Sequence, residues 1–264
     1  MFSKLLARTR RALPSQCAVC HAWAHERVCP DCVQRFTPIT QRCTGCALPL
    51  AGTATHCGAC VQHPSALDTC LAAVDYAYPW DGLLARLKFA SSAGTNPDPA
   101  LARTLAVIMG QQPAMQLALQ QADWVLPIPL ALPRLRQRGF NQALEITKHL
   151  LHPQAGLPAY RARLQAQVLL RTRDTPAQVN LNREQRLRNM LHAFALEPSL
   201  ALRMQGARIV LVDDVTTTTA TLSAAASVLR AAGAQHIVGM VFARTPLSAL
   251  EVPDAQLRHT ATTV

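Results

Sequence analysis

Residues 209–222, "IVLVDDVTTTTATL", run four apolar positions into two adjacent aspartates, four consecutive threonines and the start of a small-residue helix. An uninterrupted apolar run of this kind reads as a parallel strand buried on both faces. "TLSAAASVLRAAG" (221–233) continues as a helix ending at Gly233, and "QHIVGMVFAR" (235–244) reads as the next strand. Strand, helix and strand in this order predict a parallel α/β sheet flanked by helices.

Ligands of such sheets bind beyond the carboxyl ends of the strands, against a helix N-terminus. Here that edge carries Asp213, Asp214, Thr216 to Thr219 and Thr221. Hydroxyls and free helix N–H groups receive phosphate. Two carboxylates would repel one, so they face vicinal hydroxyls, a metal ion or both. A sugar phosphate meets both demands. A capped helix alone needs one threonine and one aspartate, fewer than this stretch supplies.

Upstream, "CLAAVDYAYPW" reads as a strand and "DGLLARLKFA" as a helix with Leu83, Leu84 and Leu87 on one face. "SSAGTNPDPA" (91–100) is a loop, "ALARTLAVIMGQQ" and "AMQLALQQA" are helices, and "WVLPIPL" (124–130) is a short buried strand. "RLRQRGFNQALEITKHLL" reads as a basic loop running into a helix, with Asn141 and Gln142 at its start and Phe140 in the core. From about Ser248 the chain loses periodicity. His192 and His236 stand without a visible partner in the sequence.

Four CxxC pairs fall within the N-terminal region: Cys17/Cys20, Cys29/Cys32, Cys43/Cys46 and Cys57/Cys60. One CxxC turn offers two thiolates to a metal, and two turns complete a tetrahedral four-cysteine zinc site. Two structural zinc ions are expected, with sequential pairing of the turns favoured and a crossed pairing left open by spacing. Closed four-cysteine sites serve folding, not catalysis. His21, His25, His56 and His63 lie close enough in sequence to compete as ligands. Gly45 and Gly58 sit inside two turns, where a tight backbone is useful. Cys70, in an apolar run, reads as a small core residue.

The chain carries a net charge of +11, which eight thiolates and two dications would bring to +7. That balance favours anionic partners. No apolar run is long enough to span a bilayer or form a secretory signal, and disulfides fit such a chain poorly, so a cytoplasmic location is expected. Ten arginines and one lysine lie between Arg134 and Arg188 against three acids, Glu145, Asp174 and Glu184. They suit pyrophosphate contact or a track for single-stranded nucleic acid. Aromatic residues for stacking are few there: Phe140, Tyr160 and Phe194.

The 209–222 stretch resembles the loop of type I phosphoribosyltransferases that binds 5-phosphoribosyl-1-diphosphate (PRPP). "AYPWDGLLARLKF" (77–89), "VLPIPLALPRLRQRGFNQA" (125–143) and "LLRTRDTPAQVNLNREQRLRNMLHAFAL" (169–196) together resemble the ComF (competence protein F) family, including its double zinc ribbon. The resemblance covers nearly the whole chain to about residue 245. It implies a double zinc ribbon over 15–64, a phosphoribosyltransferase-like domain over 68–246, and a C-terminal tail over 247–264.

By the same resemblance, Asp213 and Asp214 hold the ribose hydroxyls of PRPP as the catalytic pair. Thr217, Thr218, Thr219, Ala220 and Thr221 wrap its 5′-phosphate. Arg138, Arg171, Arg173 and Lys88 face the pyrophosphate, and Mg2+ bridges pyrophosphate and diol. One departure stands out: Thr219 occupies a glycine position of the family loop. A β-branched residue held at positive φ costs about 1–3 kcal/mol, so the loop either avoids that conformation or is weakened by it.

Two function classes follow. One is a phosphoribosyltransferase with an unassigned acceptor. The other is a DNA-handling protein of natural transformation, binding single-stranded DNA or the DNA-uptake machinery, with a regulatory or vestigial PRPP-like site.

Overall fold

The computed structural model describes residues 15–90, 94, 96–152, 160–172 and 193–246. Five parallel strands form the central sheet: β3 (Thr69–Asp75), β4 (Trp124–Pro127), β5 (Arg163–Leu164), β8 (Arg208–Thr216) and β9 (His236–Arg244). Their spatial order is β3-β9-β8-β4-β5. The expected α/β class, a parallel sheet flanked by helices behind a small N-terminal cysteine module, is the observed one.

Two packed layers account for the apolar strands. Val210 and Val212 of β8 and Val238, Met240 and Phe242 of β9 face one buried cluster. That cluster holds α3 (Trp80–Lys88), α4 (Leu101–Gly110), α5 (Pro113–Gln121) and α7 (Gln142–Leu151) through Leu84, Leu87, Leu105, Leu119, Ile146 and Leu150. Ile209, Leu211, Ile237 and Val241, one position out of phase, face a second cluster with α9 (Ala220–Ala231). The period-2 alternation of a strand thus serves two hydrophobic layers.

Chain direction fixes where a ligand can enter. β4 leads through α6 (Leu132–Arg138) and α7 to β5 on one side, whereas β8 leads through α9 to β9 on the other. The carboxyl ends of β4 and β8 therefore form the topological switch point, the crevice such sheets use for ligands.

The N-terminal module carries β1 (Ser15–Gln16) and β2 (Trp23–Ala24), paired antiparallel, with α1 (Pro30–Phe36) and α2 (Gly58–Gln62). Beyond the sheet, β6 (Leu169–Arg171) and β7 (Phe194–Leu196) pair antiparallel, and α8 (Pro198–Ala201) leads towards β8.

One expectation needs correction. The stretch from Arg134 to Arg138, read as a basic loop, lies in helix α6 (Leu132–Arg138), with Pro133 in its first turn and Gly139 at φ +83° closing it. The arginines hid a helix that starts and stops on proline and glycine, the residues suited to those two ends. Among the described residues no helix is long and apolar enough to cross a membrane. The 247–264 tail, Arg173, Arg183, Arg186, Arg188 and His192 lie outside the described residues.

Candidate functional site

The four CxxC turns gather in sequential sets. The Sγ atoms of Cys17, Cys20, Cys29 and Cys32 lie within 4.8 Å of one another, as do those of Cys43, Cys46, Cys57 and Cys60. A zinc tetrahedron with 2.3 Å bonds has sulfur–sulfur edges of about 3.8 Å. Cys20–Cys29 and Cys46–Cys57 are each 3.7 Å apart. The donor sets therefore fit zinc, and no histidine joins either set.

Burial alone would push the Cys17 thiol up. N–H groups of Cys20, Cys29 and Val19 overcome it and bring the thiol to about 6. Cys43 is likewise brought to about 7 against its burial, chiefly by N–H groups of Cys57 and Gly45. Each cluster thus presents one thiol poised as thiolate. A Cβ on Gly45 would stand 3.1 Å from Cys60 Sγ, so the tight turn there is required, whereas Gly58 faces open space. Cys70 is fully buried, and that burial raises its thiol to about 12.

At the switch point, β8 ends in the two acids. Asp214 is buried and pairs with Lys88, the last residue of α3. Its Oδ1 accepts from Gln142 Nε2 at 3.3 Å, and Gln142 Oε1 in turn accepts from Arg138 Nη1 at 2.5 Å. Arg138 also lies over the Phe89 ring, 5.3 Å from its centroid. Three segments far apart in sequence thus converge on one carboxylate. Burial pushes Asp214 up, but the Lys88 ammonium and the hydrogen bonds from Lys88 and Gln142 outweigh it, and its carboxyl sits below the ordinary range. Asp213, half-buried, is driven well above that range by burial and by Asp214 beside it. The adjacent acids are therefore unequal: one ionised and pinned, the other prone to hold a proton.

The threonine loop follows directly. Thr219 adopts φ +56°, the left-handed conformation that glycine takes without strain. The loop does not avoid the costly geometry; it takes it. Thr219 N–H donates to Thr216 Oγ1 at 3.0 Å, and its hydroxyl donates to the Thr218 carbonyl at 2.6 Å. Thr217 is exposed and Thr218 and Thr221 are partly exposed. They stand beside the first N–H groups of α9, which no helical carbonyl can reach.

Lys88, Arg138, Asp214 and the threonine loop are thus brought to one crevice edge. Arg171 is placed on β6, its guanidinium over the Phe194 ring at 5.5 Å, and Phe194 belongs to the α9-side cluster. Asn141 caps α7, accepting from Ala143 and Leu144, as its position suggested. His236, without a visible partner in the sequence, has its Nδ1 3.4 Å from Asp68. Gln142 as an Asp214 ligand was not legible, because polar residues at a helix start look like capping. Arg244 was missed too, although an arginine ending an apolar strand is an available signal.

Comparison with known proteins then decides the family. No protein-family model matches the chain. It is 31% identical to the DNA utilization protein YhgH of Salmonella typhimurium over 88% of this chain and 98% of that protein. YhgH of Escherichia coli K12 matches at 31% with the same coverage. Competence protein F of Haemophilus influenzae is 29% identical over 81% of this chain and 89% of its own length. The chain belongs to the ComF (competence protein F) family. A solved allosteric regulatory enzyme of purine biosynthesis overlays at a TM-score of 0.36 and 16% identity, covering 60% of this chain and 30% of that one.

Proposed function

We propose that this ComF-family member works in DNA utilization and natural transformation as a cytoplasmic protein, and that its switch-point site binds PRPP with Mg2+. The observation that carries the site reading is the continuous edge of Asp213, Asp214 and the threonine loop at the β4/β8 crevice. Asp213, the less committed carboxylate, is suited to the ribose diol or to an Mg2+ shared with the diphosphate. Thr217, Thr218, Ala220 and Thr221 offer hydroxyls and N–H groups to the 5′-phosphate. Lys88 and Arg138 supply positive charge where pyrophosphate would leave, with Arg171 and Arg173 further candidates. Bound Mg2+ would neutralise diphosphate charge; the residues themselves bind, orient and stabilise.

A second reading, a binder of single-stranded DNA, is supported by exposed aromatics, one of which, Phe89, also carries an arginine. Tyr78 and Phe89 are exposed, Arg35 lies over Phe36 and Arg138 over Phe89, and Trp23 is exposed on the first cysteine hairpin. Stacking platforms beside cations suit unpaired bases.

Calorimetric titration with PRPP and Mg2+, then separately with single-stranded DNA across a salt series, tests both. PRPP binding lost in Asp213→Asn, with salt-dependent DNA binding retained, is the expected pattern. Absence of PRPP binding by the unaltered protein sinks the site reading. Absence of both leaves neither function standing.

A further inference from the structure

Arg244, at the carboxyl end of β9, is 4% exposed, yet among the described residues no carboxylate pairs with it. A buried guanidinium is costly unless its charge and its donors are answered. Its donors go to carbonyls: Nε to Cys46 O at 2.8 Å and Nη1 to Thr245 O at 2.5 Å. Cys46 is a donor of the second four-cysteine set. Four thiolates around one Zn2+ carry a net charge of about −2, which a neighbouring buried cation offsets. Arg42 also reaches this turn, with Nη1 on the Ala47 carbonyl at 3.2 Å, but its charge is answered by Asp75 at 2.6 Å.

The other end of this contact reaches the threonine loop. Thr245 N–H donates to Thr216 O at 3.0 Å, and Thr216 Oγ1 accepts the N–H of Thr219. An unbroken run of bonds therefore leads from the second cysteine cluster, through a buried arginine, to the residue held in the left-handed conformation. Thr219 has a less strained right-handed alternative, so its conformation depends on the bonds that hold it.

We propose that Arg244 is a positioning residue that joins the second four-cysteine cluster to the threonine loop, so that the state of that cluster sets how firmly the loop holds a phosphate group. The phosphate half of this inference rests on the PRPP reading above. The join itself does not. With the cluster filled, Cys46 O is fixed and Arg244 has a counter-charge. With the cluster emptied, both are lost and the Thr216–Thr219 turn loosens.

Hydrogen exchange of the full chain, followed in segments 213–222, 43–60 and 15–36, tests the join. In Arg244→Met, exchange should quicken about tenfold in 213–222 and in 43–60, with 15–36 unchanged; tenfold corresponds to about 1.4 kcal/mol of opening free energy. The double substitution Cys57→Ser/Cys60→Ser should quicken 213–222 likewise. Adding Arg244→Met to it should change 213–222 little further, since both act through one path. Arg244→Lys keeps the charge and should give a smaller effect. Unchanged protection of 213–222 in either the methionine or the double-serine variant overturns the proposal, as do effects that multiply. Exchange quickened throughout all three segments in both the methionine and lysine variants overturns it as well. PRPP affinity, with Mg2+ present, should fall about tenfold in Arg244→Met. If the unaltered protein binds no PRPP, the site reading fails while the exchange results still decide the join.

Discussion

The two cysteine clusters are written alike in the sequence and used differently by the fold. In the first, Cys17, Cys29 and Cys32 join the buried cluster that contains Trp80, Leu84 and Phe242. Trp80 Nε1 donates to the Phe36 carbonyl at 2.7 Å, tying the end of α1 to the start of α3. In the second, Cys43, Cys46 and Cys60 form a small cluster of their own with Leu48. That cluster is held to the sheet by polar ties, Cys70 N–H to Thr44 O at 2.7 Å, Arg42 to Asp75 and Arg244 to Cys46 O, and by one apolar residue of its turn, Ala47, which is buried in the α9-side cluster. The first cluster is part of the core; the second is an attachment. A shared ligand motif therefore says nothing about how far the loss of its metal will spread.

The largest test breaks the two apart. Structural zinc contributes about 10–16 kcal/mol in small zinc modules, comparable to or above the whole stability of a typical domain. Cys32→Ser removes a ligand from within the main core, so the expected outcome is loss of the cooperative thermal transition. Cys60→Ser should leave a folded sheet, a lower Tm and zinc content reduced from two ions to one. Equal losses from both substitutions, measured by circular dichroism and zinc analysis, would contradict the distinction.

A second pair written alike is Asp213 and Asp214, and the same contrast runs through it. Asp214 answers the charge of Lys88, whose side chain is 19% exposed. Removing one partner of a buried ion pair costs about 3–5 kcal/mol, so Asp214→Asn should destabilise the protein by about that amount at neutral pH. The pH dependence has a definite sign. Because the folded carboxyl lies below its ordinary value, its contribution is present above the ordinary carboxylate range and fades as pH falls through the lowered value. The gap between the unaltered protein and Asp214→Asn should close in that acidic window. Asp213, shifted up, contributes with the opposite sign: its share is lost as pH rises through its raised value. Chemical denaturation over a pH series reads both.

Local signals made much of this molecule legible. The apolar run 209–212, the acids after it, the amphipathic spacing of Leu83, Leu84 and Leu87, and the CxxC turns each state their role within a few residues. Strand order is different, since nothing within β4 or β8 tells which strands flank it. Lys88 and Gln142 meet at Asp214 only because α3 and α7 pack on one face of β8. Helix α6 was hidden because the arginines from Arg134 on read as a basic loop, outweighing the Pro133 and Gly139 punctuation at its two ends. The embedding of the first cluster was equally out of reach, because a CxxC turn reads the same on a surface and in a core.

The smallest effects give the finest probe of the two clusters. His21 and Ala47 each follow the second cysteine of a turn, and each sits in the left-handed region, at φ +61° and +57°. Left-handed backbone costs a residue with a side chain about 1–2 kcal/mol. Glycine avoids that cost but gives back about 0.5–1 kcal/mol in unfolded-state freedom. A net gain of roughly 0.5–1 kcal/mol is therefore expected from His21→Gly, where the side chain is exposed; at Ala47, fully buried in the α9-side cluster, loss of the packed methyl costs about 0.8 kcal/mol and offsets that gain. His21→Gly, beside the embedded cluster, should raise the main thermal transition; Ala47→Gly, its backbone gain balanced by the lost core methyl, should move that transition little. Thr219, at φ +56° in the threonine loop, is the third residue of this kind and is β-branched. Thr219→Gly should relieve about 1–3 kcal/mol of strain and tighten PRPP binding by up to about tenfold in calorimetry. An unchanged or weaker affinity would mean that the threonine, strain included, is the better fit to what the loop holds.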